Sequence, residues 1–247
     1  MLLTVLALLL STTVLVGQVS LGTIQTNTNT ALPSAYNFQE YVFAEPDDQG
    51  ICDGSTNTSA NITEVFLCQT HRQAVGHPLF FTIGHRPAVL QVAVQGTGAA
   101  PDVQVEGRID GVSLGVFCLA GPAALSPDID LGRASFADYF SVTLPKSWVR
   151  PGLSLSITAG DDNRTLSEQV LKIGPYTELN LVMVNMDVLD YNEDDPFETI
   201  FPDFLQEVAS AIPASIVRFG QFPGTLRFPE LIASNNTEEL GRLSSTE

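Results

Sequence analysis

The sequence predicts a mostly β chain: an antiparallel, immunoglobulin-like β-sandwich followed by the start of an incomplete α/β domain. Three observations carry this expectation. Seven short runs of strand-forming residues fall between Pro78 and Gly174, separated by Gly, Pro and Asp clusters. Several alternate cleanly, as where Leu153, Leu155 and Ile157 interleave with Ser154, Ser156 and Thr158, the pattern of a strand with one face buried and one wet. After Gly174 the pattern changes to a nearly continuous apolar run and then to helical spacing, which opens a different kind of layer.

Taken in order, residues 1–20 hold no charged side chain and an apolar run from Leu2 to Leu10, which reads as a secretory signal peptide, with an uncleaved membrane anchor as the alternative. Residues 21–76 form a Thr- and Asn-rich N-terminal segment, expected to be a linker or loosely docked arm up to about Gly50. Residues 77–175 form the sandwich, with strands expected in PLFFTIG, AVLQVAVQ, VQVEGRI, GVSLGVFCLAG, DYFSVTLP, LSLSITAG and QVLKIG. The single tryptophan, Trp148, reads as a packing anchor just before the alternating strand. Residues 176–247 form the second unit. ELNLVMVNMDVL fits a strand covered on both faces, and Phe201–Ile212 places Phe204, Leu205, Val208 and Ile212 at helical spacing. Pro213 stops that helix and SIVRFG reads as a further strand. The polar stretch ASNNTEELGRLSSTE follows without a closing element, so this unit is expected to be the truncated beginning of a domain.

The chain has 247 residues, 28 acidic against 11 basic, for a net charge of -17. A nucleic-acid backbone or an anionic membrane surface would be repelled, so neither is expected as a partner, and a membrane enters only through the N-terminal segment. Four sequons, at Asn57, Asn61, Asn163 and Asn235, are candidate glycosylation sites and agree with a secreted, extracellular chain. In an oxidising compartment Cys52 and Cys68, which bracket a short polar loop, are expected to form a disulfide worth about 3 kcal/mol. A Cys68–Cys118 bridge, or three free thiols, are the alternatives; Cys118 itself reads as a buried strand cysteine.

Candidate chemistry is sparse. Asp190, Asn192 and Asp194 occupy the first, third and fifth places of a calcium loop, but Asp195 stands where glycine is needed, Pro196 follows, and Phe201 replaces the bidentate glutamate. Asp187, enclosed by Met186, Val188 and Leu189, is the one carboxylate with an apolar setting; a strand-end aspartate capping a turn is the commoner arrangement. His71, His77 and His85 have Gly76 and Pro78 between them and lack the i, i+4 spacing that a zinc helix requires. There is no H-E-x-x-H, G-x-S-x-G or Walker pattern. No catalytic, cofactor-binding or metal-binding residue is assigned.

Three segments carry a family resemblance: YFSVTLPKSWVRPGLSLSITAGD, LKIGPYTELNLVMVNMDVLD and FLQEVASAIPASIVRFGQFPGTLRFPELI. Trp148, Pro151, Gly152 and Leu153 match a W-x-x-P-G-L strand entry; Gly174, Thr177, Glu178 and Leu179 match G-x-x-T-E-L; Ile212, Pro213 and Ser215 match I-P-x-S. In this order they resemble the StcE/TagA-like secreted zinc metalloproteases, the ToxR-regulated, mucin-degrading peptidases. The resemblance implies a sandwich leading into a metzincin-like catalytic domain, a glycoprotein or protein substrate, and zinc held by a later H-E-x-x-H-x-x-G-x-x-H helix whose glutamate activates water. That helix is absent from this sequence, so zinc is expected of the full-length family member and none of this chain. Truncation of a longer protease is favoured over a degenerate paralogue. The rival expectation is a secreted, non-catalytic β-sandwich that binds glycans or proteins.

Overall fold

The alternation in LSLSITA becomes a strand whose residues are buried and half-buried in turn, as a sheet with one face on a core requires. The computed structural model describes residues 22–26, 38–46, 52, 59–132, 134–187 and 206–227, with backbone only for 22–26, 185–187 and 224–227. The chain is mostly β. In order the strands are β1 (Gly22–Thr26), β2 (Gln39–Phe43), β3 (Ala60–Cys68), β4 (Arg72–Ala74), β5 (Ala88–Gly96), β6 (Gly98–Ala99), β7 (Val103–Ile109), β8 (Val112–Leu119), β9 (Ala124–Leu125), β10 (Phe140–Leu144), β11 (Leu153–Ala159), β12 (Asp162–Leu166), β13 (Glu178–Asp187) and β14 (Ile216–Arg227).

Two antiparallel sheets, ordered β10-β5-β3-β4 and β12-β11-β7-β8, share one core. Val65, Leu67, Leu90, Val92, Val142 and Leu144 of the first pack in the same cluster as Val103, Val105, Leu153, Leu155 and Ile157 of the second. Each such side chain, fully withdrawn from water, contributes about 1.5–3 kcal/mol before entropy is counted. Trp148 enters this core. Its ring lies over Gly107, where a Cβ would fall 2.5 Å from the indole, and over Gly115, and it stacks on Phe117 at 4.5 Å. Glycine is required at 107 by that close approach, and the tryptophan is the anchor its setting suggested.

The third sheet runs β1-β2-β14-β13. β13 and β14 are parallel, with a helix over 206–211 between them, so the strand-helix-strand reading forms a crossover unit. Tyr41, Val217 and Phe219 face that helix, with Leu179, Leu181, Met183, Val208 and Ile212 packed around them.

Several expectations are corrected. The N-terminal segment is not simply a loose arm: β2 pairs antiparallel with β14, and β1 with β2, so residues far apart in sequence complete the sheet of the second unit. ANITEVFLC, read only as part of a disulfide loop, is β3, at the centre of a sheet. PLFFTIG is not a strand, because its backbone groups bond to loops rather than to a ladder: Phe80 N–H donates to the His77 carbonyl, and Thr82 exchanges bonds with Lys172 and Gly174. QVLKIG opens with the helical turn Glu168–Leu171 and ends at Lys172 in the left-handed region. The expectation that ELNLVMVNMDVL is covered on both faces fails for the described side chains: Val182 and Val184 are 40% and 38% exposed, alternating with half-buried Leu181 and Met183.

The disulfide also differs. Cys52 pairs with Cys118, with Cα atoms 5.5 Å apart, and Cys68 is free. The short sequence separation misled because β3 is extended: at about 3.3 Å per residue, Cys68 lies roughly 26 Å from the strand's start. There Cys68 packs with Phe66, Ala93 and Tyr139 beside Ile129 and Leu131, and its thiol donates to the Gln91 amide oxygen at 3.7 Å. Cys118 is half-buried on β8, which ends its sheet, where a second chain segment can reach it.

Candidate functional site at the junction of the two units

The 82–86 segment, TIGHR, fills the seam between the shared core and the third sheet. Thr82 N–H donates to the Lys172 carbonyl at 3.4 Å and Gly174 N–H returns a bond to Thr82 at 2.7 Å. Gly84 lies so close to the Gly174 carbonyl that a Cβ would strike it. The Ser215 hydroxyl donates to the Gly84 carbonyl at 2.5 Å, and Thr177 N–H donates to Ser215 Oγ at 2.8 Å. Arg86 is 2% exposed. Its guanidinium donates to the carbonyls of Ser210 (2.7 Å), Ile212, Ala214 (3.5 Å) and Gln69 (3.3 Å), with the Phe43 ring 4.4 Å away. Burial pulls its pKa down to about 10, so it remains a cation at neutral pH.

Beside this seam lies an open cleft of about 310 Å³, lined in part by Glu40, Phe43, His85, Lys146, Ser147 and Tyr176. Beside it runs an ion-pair chain that shares Glu40 and Tyr176 with the cleft lining. Arg218, buried on β14, donates from Nε to Glu40 at 3.0 Å and from Nη1 to Glu178 at 2.7 Å, while the Tyr176 hydroxyl donates to the other Glu178 oxygen at 2.5 Å. Arg218, then Tyr176, hold the Glu178 carboxyl below its usual range; desolvation first, and then the Glu178 bond, push Tyr176 up to about 12. The arrangement offers aromatic rings, Phe43 and Tyr176 among them, and several hydrogen-bonding groups.

The three histidines are separated. His71 bonds Thr70 and Gln73, His77 accepts the Leu79 N–H at 3.2 Å, and only His85 reaches the cleft, edge-on to Tyr176 at 5.7 Å. Among the described residues no three His, Cys, Asp or Glu side chains converge to hold a metal ion, so these residues do not fit zinc and no metal step is assigned to them. Asn61 and Asn163 are exposed on β3 and β12, and Asn163 bonds Thr158 at 2.9 Å. Asn57, Asn235, the calcium-like positions Asp190, Asn192, Asp194, Asp195, Pro196 and Phe201, and the 1–20 segment lie outside the described residues; Asp187 ends β13 with its side chain undescribed. Sequence reasoning missed Arg86, which carried no signal, and Arg218, whose only signal was an arginine set between Val217 and Phe219.

Comparison with known proteins covers part of this region. Residues 132–244 match the family described as Peptidase M66. An 86-residue stretch is 34% identical to Dictomallein of Burkholderia mallei (strain ATCC 23344) and of Burkholderia pseudomallei (strain K96243). That stretch covers 35% of this chain and only 12% of each relative. The family match begins before β10 and runs through β13, the helix and β14, taking in Lys146, Tyr176 and Ser215 of the junction but not the 82–86 segment, Glu40 or Phe43.

Proposed function

We propose that this chain supplies the N-terminal portion of a secreted zinc metalloendopeptidase of the StcE/TagA-like, glycoprotein-cleaving kind. The observation that carries the reading is the extent of the Peptidase M66 match, which includes β10–β12 of the sandwich together with the parallel β13-helix-β14 unit. Such an enzyme uses zinc to polarise a bound water. The histidines and glutamate that do this belong to an H-E-x-x-H helix that this sequence does not contain, so the residues here build and orient the domain. The test is the reading frame of the native transcript beyond Glu247. An H-E-x-x-H helix in frame, with chelator-sensitive cleavage of a densely glycosylated protein by the extended product, is the expected result. A stop codon directly after Glu247 would overturn the reading.

The open cleft supports a second reading, a secreted non-catalytic module that binds glycans or proteins through Tyr176, His85, Lys146 and Ser147. Retention of the chain on a mucin column, lost on Tyr176→Ala without loss of folding, would favour it.

A further inference from the structure

The end of the helix over 206–211 is satisfied only in part by its neighbours in sequence, through Ile212 N–H to the Val208 carbonyl and Ala214 N–H to the Ile212 carbonyl. The final carbonyls of any helix lack intrahelical partners, and here Pro213, which has no N–H to give, follows at once. Further partners come from another part of the molecule: Arg86, more than 120 residues earlier, donates to the carbonyl of Ser210 in the last turn of the helix and to those of Ile212 and Ala214 in the turn that follows. We propose that Thr82–Arg86 is a latch in which Arg86 serves as the C-terminal cap of this helix, so that the sandwich and the parallel unit unfold as one cooperative body.

Four features make the contact more than incidental. No carboxylate bonds Arg86 among the described residues; its charge is met by four carbonyl oxygens, the negative end of the helix dipole and the Phe43 ring of β2. The loop that presents it is fixed by Gln69, whose amide oxygen accepts Ile83 N–H at 2.8 Å and whose amide nitrogen donates to the carbonyls of Ile83 and Arg86 at 2.9 and 3.1 Å. Ser215, two residues past Pro213, returns a hydroxyl bond to Gly84. His85 takes the left-handed backbone, φ 59°, that lets Gly84 and Arg86 face the same seam, and its N–H is held by the Val149 carbonyl. A cation this deeply buried is costly unless it is hydrogen-bonded, and here the carbonyls that accept from Nη1 and Nη2 lie on the helix, the turn after it and the turn after β3, segments that nothing local would hold together.

The latch rests on this geometry alone and stands or falls separately from the peptidase reading. Hydrogen exchange with mass spectrometry on the full chain tests it, comparing the wild type with Arg86→Met, Arg86→Lys and a control, Arg164→Met. In the wild type the slowest amides of β14 and β11 are expected to share one opening equilibrium. In Arg86→Met, amides over 206–219 are expected to exchange roughly 10- to 100-fold faster, while Leu153–Ala159 keeps its protection. Unchanged exchange over 206–219, an equal loss in both segments, or the same split in the control would overturn the proposal. If Arg86→Met does not fold, Arg86→Lys and Ser215→Ala decide: both are expected to show a smaller split in the same direction, and wild-type behaviour in both would overturn it.

Discussion

Trp148 stacks on Phe117 with ring centroids 4.5 Å apart and planes inclined by 26°. Phe117 belongs to β8, whereas Trp148 follows Pro145 in the turn leading to β11, so this pair fastens the start of the alternating strand to the far side of its sheet. Trp148→Ala is expected to cost about 3–5 kcal/mol through the cavity it leaves. Gly107→Ala is expected to cost about 1–3 kcal/mol by driving a methyl into the indole. Urea unfolding followed by far-UV circular dichroism reads both changes, and the fluorescence of Trp148, the only tryptophan, reads Gly107→Ala as well.

The three cysteines yield a second test. A bridge from Cys52 to Cys118 closes a loop with a sequence separation of 66, worth roughly 4 kcal/mol in the chain-entropy model. Reduction, or Cys52→Ser, is expected to lower the melting temperature by about 10 °C, whereas Cys68→Ser leaves it nearly unchanged. Peptide mapping that finds Cys68 in the bridge would contradict the pairing.

Burial pushes the Cys68 thiol up to about 11. A pKa raised above the unfolded value of about 9 means that the neutral thiol favours the folded state. That contribution is intact below about pH 9 and fades as pH rises towards 11. Cys68, partly buried with its pKa raised, is therefore expected to react with iodoacetamide more slowly at pH 8 in the native chain than in denaturant; equal rates in the two would refute the raised pKa.

Arg218 holds Glu40 and Glu178 together across β2, β14 and β13. Both carboxylates are about a third exposed, so Arg218→Met is expected to cost only about 1–2 kcal/mol at neutral pH. The Glu178 pKa is depressed, so its share is present above about pH 4.5 and lost as pH falls below that value. The stability gap between wild type and Arg218→Met should accordingly narrow in acid, as followed by melting temperature from pH 7 to pH 3. A gap that stays constant would show that the ion pairs do not contribute.

β13 pairs only with β14 among the described residues and exposes Val182 and Val184. An open, apolar edge invites association. The chain is expected to self-associate at high concentration, and Val184→Lys to suppress this without lowering the melting temperature. Light scattering that shows no difference between the two would count against the edge as its cause.

The strands that alternate, such as LSLSITA and VQVEGRI, were legible because one buried face imposes a period of two on the residues themselves. The parallel β13-helix-β14 unit was legible from the change of period after Gly174. β1 and β2 were not, because GTIQT and QEYVF are short, and the pair joins a larger sheet only where β2 meets β14, more than 170 residues later. PLFFTIG misled by composition: Leu79 and Phe81 project outward, and the backbone is spent on the junction. Arg86 was illegible for the same reason, since carbonyl partners 124 to 128 residues away leave no trace in side-chain type.

The central claim, that these residues form the leading part of a metalloprotease whose metal chemistry lies elsewhere, is tested most directly by elemental analysis of purified Met1–Glu247. The account predicts zinc well below one atom per chain after gel filtration, together with no cleavage of a glycoprotein. One tightly bound zinc per chain would contradict it.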